Sequence, residues 1–412
     1  MLLLPVPAPP EVDLLPDGSW TSVPGTRCGV AQGDIKGAVL RGTGTLRDDV
    51  AVLVAPGVAA AVTTTSTAAA APCRWTRARV PGPVQAVVVN AGNANAATGR
   101  QGEVDTAATA AGVSAVLGCP PDQVLVCSTG VIGVPLPMDR LLPAVGRAAQ
   151  DLTADGHRLA RAILTTDLVP KEVAVSVPVE GGGAVTVAGC TKGSGMIHPN
   201  MATMLAFLVT DAAIGAAPLQ ALLQAAVDRT FHCISVDGDT STNDTVIVQA
   251  TGSGPDCAPG QPGHSALARA LVAACRHLAR AIARDGEGAT TLVECVLHGT
   301  ADDDQARRAA RAVLVSPLVK SAVHGRDPNW GRIVGALGAA GVAALDELDL
   351  DLCGIPVLRA GQPVEWDEAA ASAALEAPEV RITARVPGPG LGVAWGCDLS
   401  AQYVSINADY RS

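Results

Sequence analysis

Aromatic side chains are what this sequence has least of. Phe and Tyr occur twice each and Trp five times, so aromatics make up 2% of the 412 residues, whereas apolar residues of all kinds make up 48%. A chain of this length predicts two domains or one large composite domain. Because Ala, Val and Gly dominate the apolar set, the interior must be built from small side chains, which suits close packing of helices on sheets.

Long apolar runs are also missing. No run of about 18 or more apolar residues is free of charges and helix breakers, so the sequence predicts no membrane span. The opening MLLLPVPAPPEV is broken by Pro5 and lacks a basic start, which makes it a poor secretion signal. We therefore expect a soluble, cytoplasmic protein without a membrane partner.

The chain has no surplus of basic residues. Lys and Arg number 29 against 39 Asp and Glu, which gives a formal net charge of -10. Nucleic-acid binding depends on clustered Lys and Arg that displace counterions from phosphates. The sequence therefore predicts no nucleic-acid partner.

Paired cysteine motifs are absent as well. The 11 cysteines are scattered, odd in number and never spaced as C-x-x-C. This pattern indicates free thiols in a reducing compartment and argues against a disulfide framework or a structural zinc, so we expect no metal. Cys127 has no basic residue within several positions and is expected to be an inert buried thiol.

Short runs rich in Val and Ile alternate with Ala-rich segments of helical period, which predicts a mixed α/β protein. The predicted strands cover residues 51–55, 84–92, 123–133, 172–190 (a hairpin that turns at Gly181 to Gly183) and 243–252. The predicted helices cover residues 105–118, 218–231, 264–286 and 304–316.

One acidic stretch invites a different interpretation. Asp237, Asp239 and Ser241 alternate as the ligands of a calcium loop do. Thr242 and Val248, however, stand where that loop needs Gly and a closing Glu, which makes calcium improbable. An aspartyl-phosphate nucleophile loop is a second interpretation, and a turn closed by Asx side chains explains the spacing equally well.

The segment KGSGMIHPNMATML contains a candidate nucleophile, Thr203, behind Lys192 and a flexible loop. A threonine hydroxyl becomes nucleophilic when its own α-amine takes the proton, and this requires a cut between Ala202 and Thr203. An α-amine has a pKa of about 7.7–8, near working pH. Taken alone, the segment favours the simpler interpretation that Thr203 is a β-branched strand residue chosen for packing.

Eight blocks of sequence decide between these interpretations. In chain order they are NAGNANAATG (90–99), STGVIG (128–133), ILTTDLVPKE (163–172), KGSGMIHPNMATML (192–205), SVDGDTSTNDT (235–245), DGEGAT (285–290), SPLVKSAVHGRDPNWGRI (316–333) and YVSINADYRS (403–412). Together they resemble the glutamate N-acetyltransferase/ornithine acetyltransferase family, the self-cleaving acetyl-cycle enzymes of arginine biosynthesis. The order of so many blocks makes chance agreement very improbable.

The resemblance implies roles for individual residues. Thr203 is both the cleavage point and the nucleophile, and Thr129 and Gly130 form the oxyanion hole. The implied substrate contacts are Thr166 (with Thr165 as the alternative), Lys192, Thr203, Glu287, Asn407 and Ser412. The chain departs from the family at Thr291, where Lys is usual, and at Arg411 in the YRS ending. Both departures leave the substrate preference open.

The resemblance also implies a fold and a reaction. The fold is an α/β protein of two interleaved subdomains with an αββα-like sandwich, the type shared by ornithine acetyltransferases and DmpA. Cleavage gives an α chain, 1–202, and a β chain, 203–412, which assemble as an α2β2 heterotetramer. Acetyl moves from N-acetylornithine to glutamate through acetyl-Thr203 without a cofactor, and acetyl-CoA stays open as a second donor.

Two alternatives remain at this stage. A related threonine-nucleophile enzyme could act on another amide, as an aminopeptidase or a secondary-metabolism acyltransferase. An uncleaved amino-acid-binding protein, in which Thr203 is only structural, is the alternative outside the enzymes.

Overall fold

The computed structural model describes residues 12–37, 47–198 and 204–409, and in these ranges strands and helices alternate along the chain. The strands are β1 Asp13–Leu14, β2 Arg27–Ala31, β3 Val50–Thr63, β4 Gly82–Asn93, β5 Val124–Val131, β6 Lys171–Pro178, β7 Ala184–Lys192, β8 Leu205–Thr210, β9 Ile234–Ser235, β10 Thr245–Ala250, β11 Leu292–His298, β12 Asp349–Leu352, β13 Ile355–Arg359, β14 Gln362–Pro363, β15 Glu379–Arg385 and β16 Leu391–Cys397. The helices are α1 Ala71–Arg77, α2 Gly99–Leu117, α3 Met138–Gln150, α4 Gly156–Ala162, α5 Ala216–Asp228, α6 Pro262–Arg284, α7 Asp303–Val315, α8 Pro317–His324, α9 Trp330–Ala339, α10 Glu368–Ala374 and α11 Ala401–Asp409.

The first sheet has the strand order β1-β6-β7-β8-β10-β3-β4-β5, with β2 also paired to β3. The pairs β8–β10 and β4–β5 are parallel. Strand β8, sequence LAFLVT, is buried at every residue because it lies in the middle of this sheet with apolar side chains on both faces. Its neighbours are β7, from the preceding part of the chain, and β10.

This sheet folds over on itself so that its two halves share one core. Leu53 of β3 and Val87 of β4 lie in the same apolar cluster as Ala188 of β7 and Phe207 of β8. Strand β3, which shifts register between Val54 and Gly57, runs through both halves. Helices α5 and α6 cover the outer face of one half, and α2 and α3 cover the outer face of the other. The layers are therefore helix, strand, strand, helix, which confirms the predicted αββα-like sandwich.

The second sheet has the order β14-β13-β12-β15-β11-β16-β9. Helix α7 packs on β16 and β11, and the 23-residue α6 contacts both sheets. Because β10 of the first sheet lies between β9 and β11 of the second along the chain, the two subdomains are interleaved, as predicted.

The predicted elements are confirmed, and most of their ends differ by one to three residues. Strand β3, however, continues to Thr63, eight residues past its predicted end, and α2 begins at Gly99, six residues before its predicted start. The predicted hairpin is the β6–β7 pair, and its turn contains Gly181, Gly182 and Gly183, all with positive φ. None of the helices within the described ranges combines the length and the apolar character needed to cross a membrane.

Candidate active site

Side chains from distant parts of the chain meet at one small cavity of about 170 Å³. Six of the residues predicted from the sequence line it: Thr129, Gly130, Thr166, Lys192, Glu287 and Asn407. The end of β5, the loop after α4, the end of β7, the loop after α6 and helix α11 each supply part of the wall. The remaining predicted residues, Ala202, Thr203 and Ser412, lie outside the described residues.

Thr129 and Gly130 lie near the end of β5, where this strand runs parallel to β4. The pairing places Gly130 beside Gly92, and a Cβ at Gly130 would lie 2.1 Å from the Gly92 carbonyl oxygen. Gly130 also has φ +128°, so only glycine fits at this position. Thr129 is 1% exposed, and its Oγ1 lies 3.5 Å from the Lys192 Nζ. The buried hydroxyl therefore stands beside the cation of the cavity.

Lys192 carries a positive charge almost out of reach of water. It ends β7 and is 2% exposed. Burial lowers the pKa of its ammonium group, and the Asp167 carboxylate, 3.8 Å away, works against that shift. Lys171 adds to the lowering, whereas Glu287 and Asp244 oppose it. A cation held in so small a cavity is suited to pairing with the carboxylate of a ligand.

A buried network of opposite charges lies behind Lys192. Lys171 Nζ is 2.7 Å from Asp167 Oδ1 and 2.6 Å from Asp285 Oδ2. Burial by itself would raise the pKa of Asp167, but the two lysines and the Gly193 N–H hold it well below its usual range. The carboxylate is therefore ionised although its side chain is fully buried.

Thr166 and Ser194 link two segments of the wall. Their hydroxyl oxygens are 2.7 Å apart, and Ser194 O accepts the Glu287 N–H at 2.8 Å. Thr165, the alternative to Thr166, lines the same cavity, so both threonines are available to a ligand.

Glu287 and Asn407 close another side of the cavity. Asn407 Nδ2 donates to Glu287 Oε2 at 2.9 Å. A Cβ at Gly195 would lie 2.4 Å from the Glu287 carboxyl carbon, so glycine there makes room for the carboxylate. Thr291, the departure from the family pattern, is buried, and its N–H donates to Asp398 Oδ1 at 3.0 Å.

Ser241, considered above only as a candidate calcium ligand, lines the cavity together with Thr242 and Asn243, which were not predicted as site residues. Asn243 Nδ2 donates to Ala94 O at 2.6 Å and to Ser128 O at 2.9 Å, which joins this segment to β5. Their signal for this site was their place in the block SVDGDTSTNDT.

Asp244 follows these three residues and was also missed. Its Oδ1 accepts the Met204 N–H at 2.9 Å, whereas Oδ2 is buried with no hydrogen-bond partner among the described residues. Burial raises the pKa of this carboxyl well above its ordinary value, because one backbone donor and the nearby Lys192 compensate little of the lost hydration. The Met204 nitrogen belongs to the peptide bond that follows residue 203, so Asp244 anchors the chain directly after the predicted nucleophile.

The acidic stretch considered for calcium forms a turn. Asp237 accepts the N–H groups of Met196 at 2.6 Å and Ile197 at 2.8 Å, and that of Asp239 at 3.2 Å. This is the Asx-closed alternative, and it ties the loop after β7 to the cavity wall. In the part of the chain that the structure describes, no group of three or more His, Cys, Asp or Glu is arranged to hold a metal.

The fold and the cavity define a two-sheet α/β protein whose strand and helix ends converge on a buried threonine–lysine site. The ArgJ family model matches residues 33–412. The arginine biosynthesis bifunctional protein ArgJ of Symbiobacterium thermophilum is 50% identical over 91% of this chain and 95% of that protein. The protein of the same name from Thermosynechococcus vestitus is 48% identical over 88% of this chain and 92% of that protein. The chain therefore belongs to the ArgJ family.

A solved structure of a relative is similar as well. The arginine biosynthesis bifunctional protein argJ from Bacillus halodurans has 44% identity and a TM-score of 0.49, over 50% of this chain and 100% of that chain. The family membership rests on the sequence relationships.

Proposed function

We propose that the chain is a glutamate N-acetyltransferase of arginine biosynthesis, which moves an acetyl group from N-acetylornithine to glutamate. One observation supports this most: six residues spread from position 129 to position 407 line one small cavity. The relatives are named for arginine biosynthesis, the pathway in which the proposed reaction takes place.

Donor and acceptor share chemistry that the cavity can bind. Both carry an α-carboxylate beside an α-nitrogen, and in the proposal Lys192 pairs with the carboxylate. Glu287, held by Asn407, binds the side-chain ammonium of ornithine or a free α-amine. Thr166 supplies a hydroxyl on the same wall. The two substrates then use one site in turn.

The proposed chemistry has two half-reactions. The Thr203 hydroxyl gives its proton to the Thr203 α-amine, and its oxygen attacks the acetyl carbonyl carbon. The amide C–N bond breaks, and the α-amine of ornithine leaves with that proton. The glutamate α-amine then attacks the acetyl ester, its proton passes back to Thr203, and N-acetylglutamate leaves. Each tetrahedral oxyanion receives hydrogen bonds from Thr129 and from the Gly130 N–H.

The proposal includes the preparation of the nucleophile. The α-amine exists only after the peptide bond between Ala202 and Thr203 is cut, which the precursor does by itself and which yields chains 1–202 and 203–412. Two such pairs assemble as an α2β2 heterotetramer in the cytoplasm. No metal or tightly held cofactor takes part, and acetyl-CoA is the candidate for a second acetyl donor.

The test is an assay of purified protein with N-acetylornithine and glutamate, in which N-acetylglutamate and ornithine are followed by mass spectrometry. We expect equal amounts of both products, two protein fragments on a denaturing gel, and neither cleavage nor turnover in Thr203→Ala. Free acetate formed without glutamate would indicate the amidohydrolase alternative. A full-length, inactive chain that binds ornithine would indicate the binding protein. A parallel reaction with acetyl-CoA and glutamate decides the second donor.

A further inference from the structure

We propose that Asp167 is a positioning residue of this site: its single buried carboxylate holds the Thr165–Thr166 segment, the Gly193 backbone and the Lys192 ammonium in one arrangement. The inference rests on the proposed function for its kinetic readout. It adds a residue that lines no part of the cavity and to which the sequence blocks assign no role.

The geometry around the two carboxylate oxygens carries the proposal. Oδ1 accepts the Gly193 N–H at 2.6 Å and lies 2.7 Å from Lys171 Nζ. Oδ2 accepts the Thr165 N–H at 3.1 Å and lies 3.8 Å from Lys192 Nζ. Each oxygen thus takes one backbone amide and one ammonium group. The Asp167 side chain is fully buried, so water does not compete for these interactions.

The carboxylate joins segments that are distant in sequence. Lys171 also forms an ion pair with Asp285, whose Oδ2 accepts the Leu168 N–H at 3.0 Å. Asp285 precedes Glu287 by two residues in the DGEGAT block. Thr166 directly precedes Asp167, the Lys192 ammonium lies 3.8 Å from the Asp167 carboxylate, and Glu287 follows Asp285 by two residues. All three are therefore connected to one buried network of charges. A site whose contacts must hold to a fraction of an ångström needs such support from behind.

Charge balance makes Asp167 distinct from the other acids. The groups that face the Lys192 ammonium are Asp167, Lys171, Glu287, Asp244 and Thr129. Glu287 is half-buried and bonded to Asn407, and burial favours the neutral form of Asp244. Asp167 is the fully buried carboxylate that is held ionised, since its pKa lies well below the usual range. Without this carboxylate, the Lys192 ammonium would lie near the Lys171 ammonium with little negative charge to offset their repulsion.

The test compares Asp167→Asn with Asp285→Asn. Both remove one charge from the network, but Asp285 pairs with Lys171 and not with Lys192. In Asp167→Asn the pKa of Lys192 falls further, so activity is lost at lower pH as the ammonium deprotonates. We expect the alkaline limb of the kcat/KM profile to move down by about one unit or more, equivalent to about tenfold in the charged fraction there. The acid limb, set by the Thr203 α-amine, stays in place.

Two further readouts separate positioning from general structure. The KM for N-acetylornithine rises more than kcat falls in Asp167→Asn, whereas Asp285→Asn changes thermal stability without moving the alkaline limb. In the double variant Lys171→Met with Asp285→Asn, Lys192 is the remaining lysine beside the Asp167 carboxylate. The pKa of Lys192 then rises, so the alkaline limb of the kcat/KM profile moves to higher pH. This variant keeps the test decisive if Asp167→Asn does not fold.

The outcomes are distinguishable. If the unaltered protein shows no acetyl transfer, the proposed function fails. If it turns over but Asp167→Asn and the double variant both reproduce its pH profile, the positioning role of Asp167 is wrong while the function stands.

Discussion

At the scale of single residues, the site depends on polar groups that are buried without full hydrogen bonding. Among the residues that the structure describes, Thr129 Oγ1 receives one long contact, from Lys192 at 3.5 Å, and donates its own hydroxyl proton to none. Asp244 Oδ2 has no hydrogen-bond partner within residues 12–37, 47–198 and 204–409. Such groups are costly to bury, and they concentrate where chemistry needs them. Both lead to predictions about individual substitutions.

Thr129→Val removes the hydroxyl while keeping the shape of the side chain. If Thr129 donates to the oxyanion, kcat for acetyl transfer falls about a hundredfold or more. The matched control is Thr76→Val, another buried threonine, whose Oγ1 donates to Val126 O at 2.9 Å and accepts the Val126 N–H at 3.2 Å, outside the cavity. The control loses about 1–3 kcal/mol of stability, because Val126 loses both hydrogen bonds, and it keeps its kcat. An unchanged kcat in Thr129→Val would remove Thr129 from the oxyanion hole.

Asp244→Asn tests the raised pKa of the buried carboxyl. In the unaltered protein, stability falls as the pH rises from the unfolded pKa, about 3.9, towards the higher folded pKa, because the unfolded chain releases its proton first. The asparagine keeps an oxygen for the Met204 N–H and has no proton to release. We expect the melting temperature of the variant, relative to the unaltered protein, to increase between pH 4 and pH 8.

Asp398→Asn is the control of opposite sign. Burial alone would raise the pKa of Asp398, but hydrogen bonds from Thr290, Thr291 and His324 hold it below its ordinary value. Its ionised form therefore adds stability above the unfolded pKa, and this stability is lost as the pH falls through the folded pKa. The variant should be less stable than the unaltered protein at pH 8. Parallel behaviour of the two variants would contradict the assignment for Asp244.

At the scale of elements, periodicity predicted the long and strongly patterned segments. The Ala-rich helix α6 and the β6–β7 hairpin follow directly from apolar spacing and from three consecutive glycines. Helix α3 was not predicted because Pro143 interrupts its helical pattern, and α4 was not predicted because seven residues are too few to show a clear period. Strand β12, with the sequence DLDL, is too short for its alternation to be significant.

The candidate site was predictable in part. The family blocks led to all six described residues, whereas residue chemistry alone reached only Lys192 and Thr203. Asp167 and Asp244 were not predicted because the sequence does not distinguish a buried aspartate from an exposed one. Their burial depends on which strands become neighbours, and that is a property of the assembled sheet.

Strand β8 predicts what would happen to the two products of the proposed cleavage. Residues after position 203 supply β8 and β10, which lie between β7 and β3 from the preceding part of the chain. The two fragments would therefore share the interior of one sheet. We expect a tag on residues 1–202 to retain the 203–412 fragment in native buffer and to release it in denaturant. The control is Thr203→Ala, which we expect to give one band on a denaturing gel and the same elution volume as the unaltered protein in native buffer. Loss of the 203–412 fragment in native buffer would contradict the fold.

At the scale of the whole molecule, a core of small side chains surrounds most of the thiols. Of the 11 cysteines, all are free, and only Cys119 and Cys353 are partly exposed. Burial raises the pKa of buried thiols, to about 12 for Cys73 and about 11 for Cys233. Thiolates, the reactive form, are therefore scarce in the folded protein at neutral pH.

A thiol reagent should report this directly. In native buffer we expect fast labelling of no more than two thiols, Cys119 and Cys353, and labelling of all 11 cysteines in denaturant. A double Cys119→Ser and Cys353→Ser variant should be nearly unreactive until it is unfolded. Rapid native labelling of that variant would mean that the interior opens to solvent.

The pairing of β10 with β3 has a consequence for synthesis on the ribosome. Thr245 pairs with Thr63, so the first sheet cannot close until more than half of the polypeptide has left the exit tunnel. Until then β3 offers an open edge to any nascent chain nearby. Translation speed and chaperone supply over the first 250 codons should therefore govern the yield of this protein more than the stability of the finished fold does.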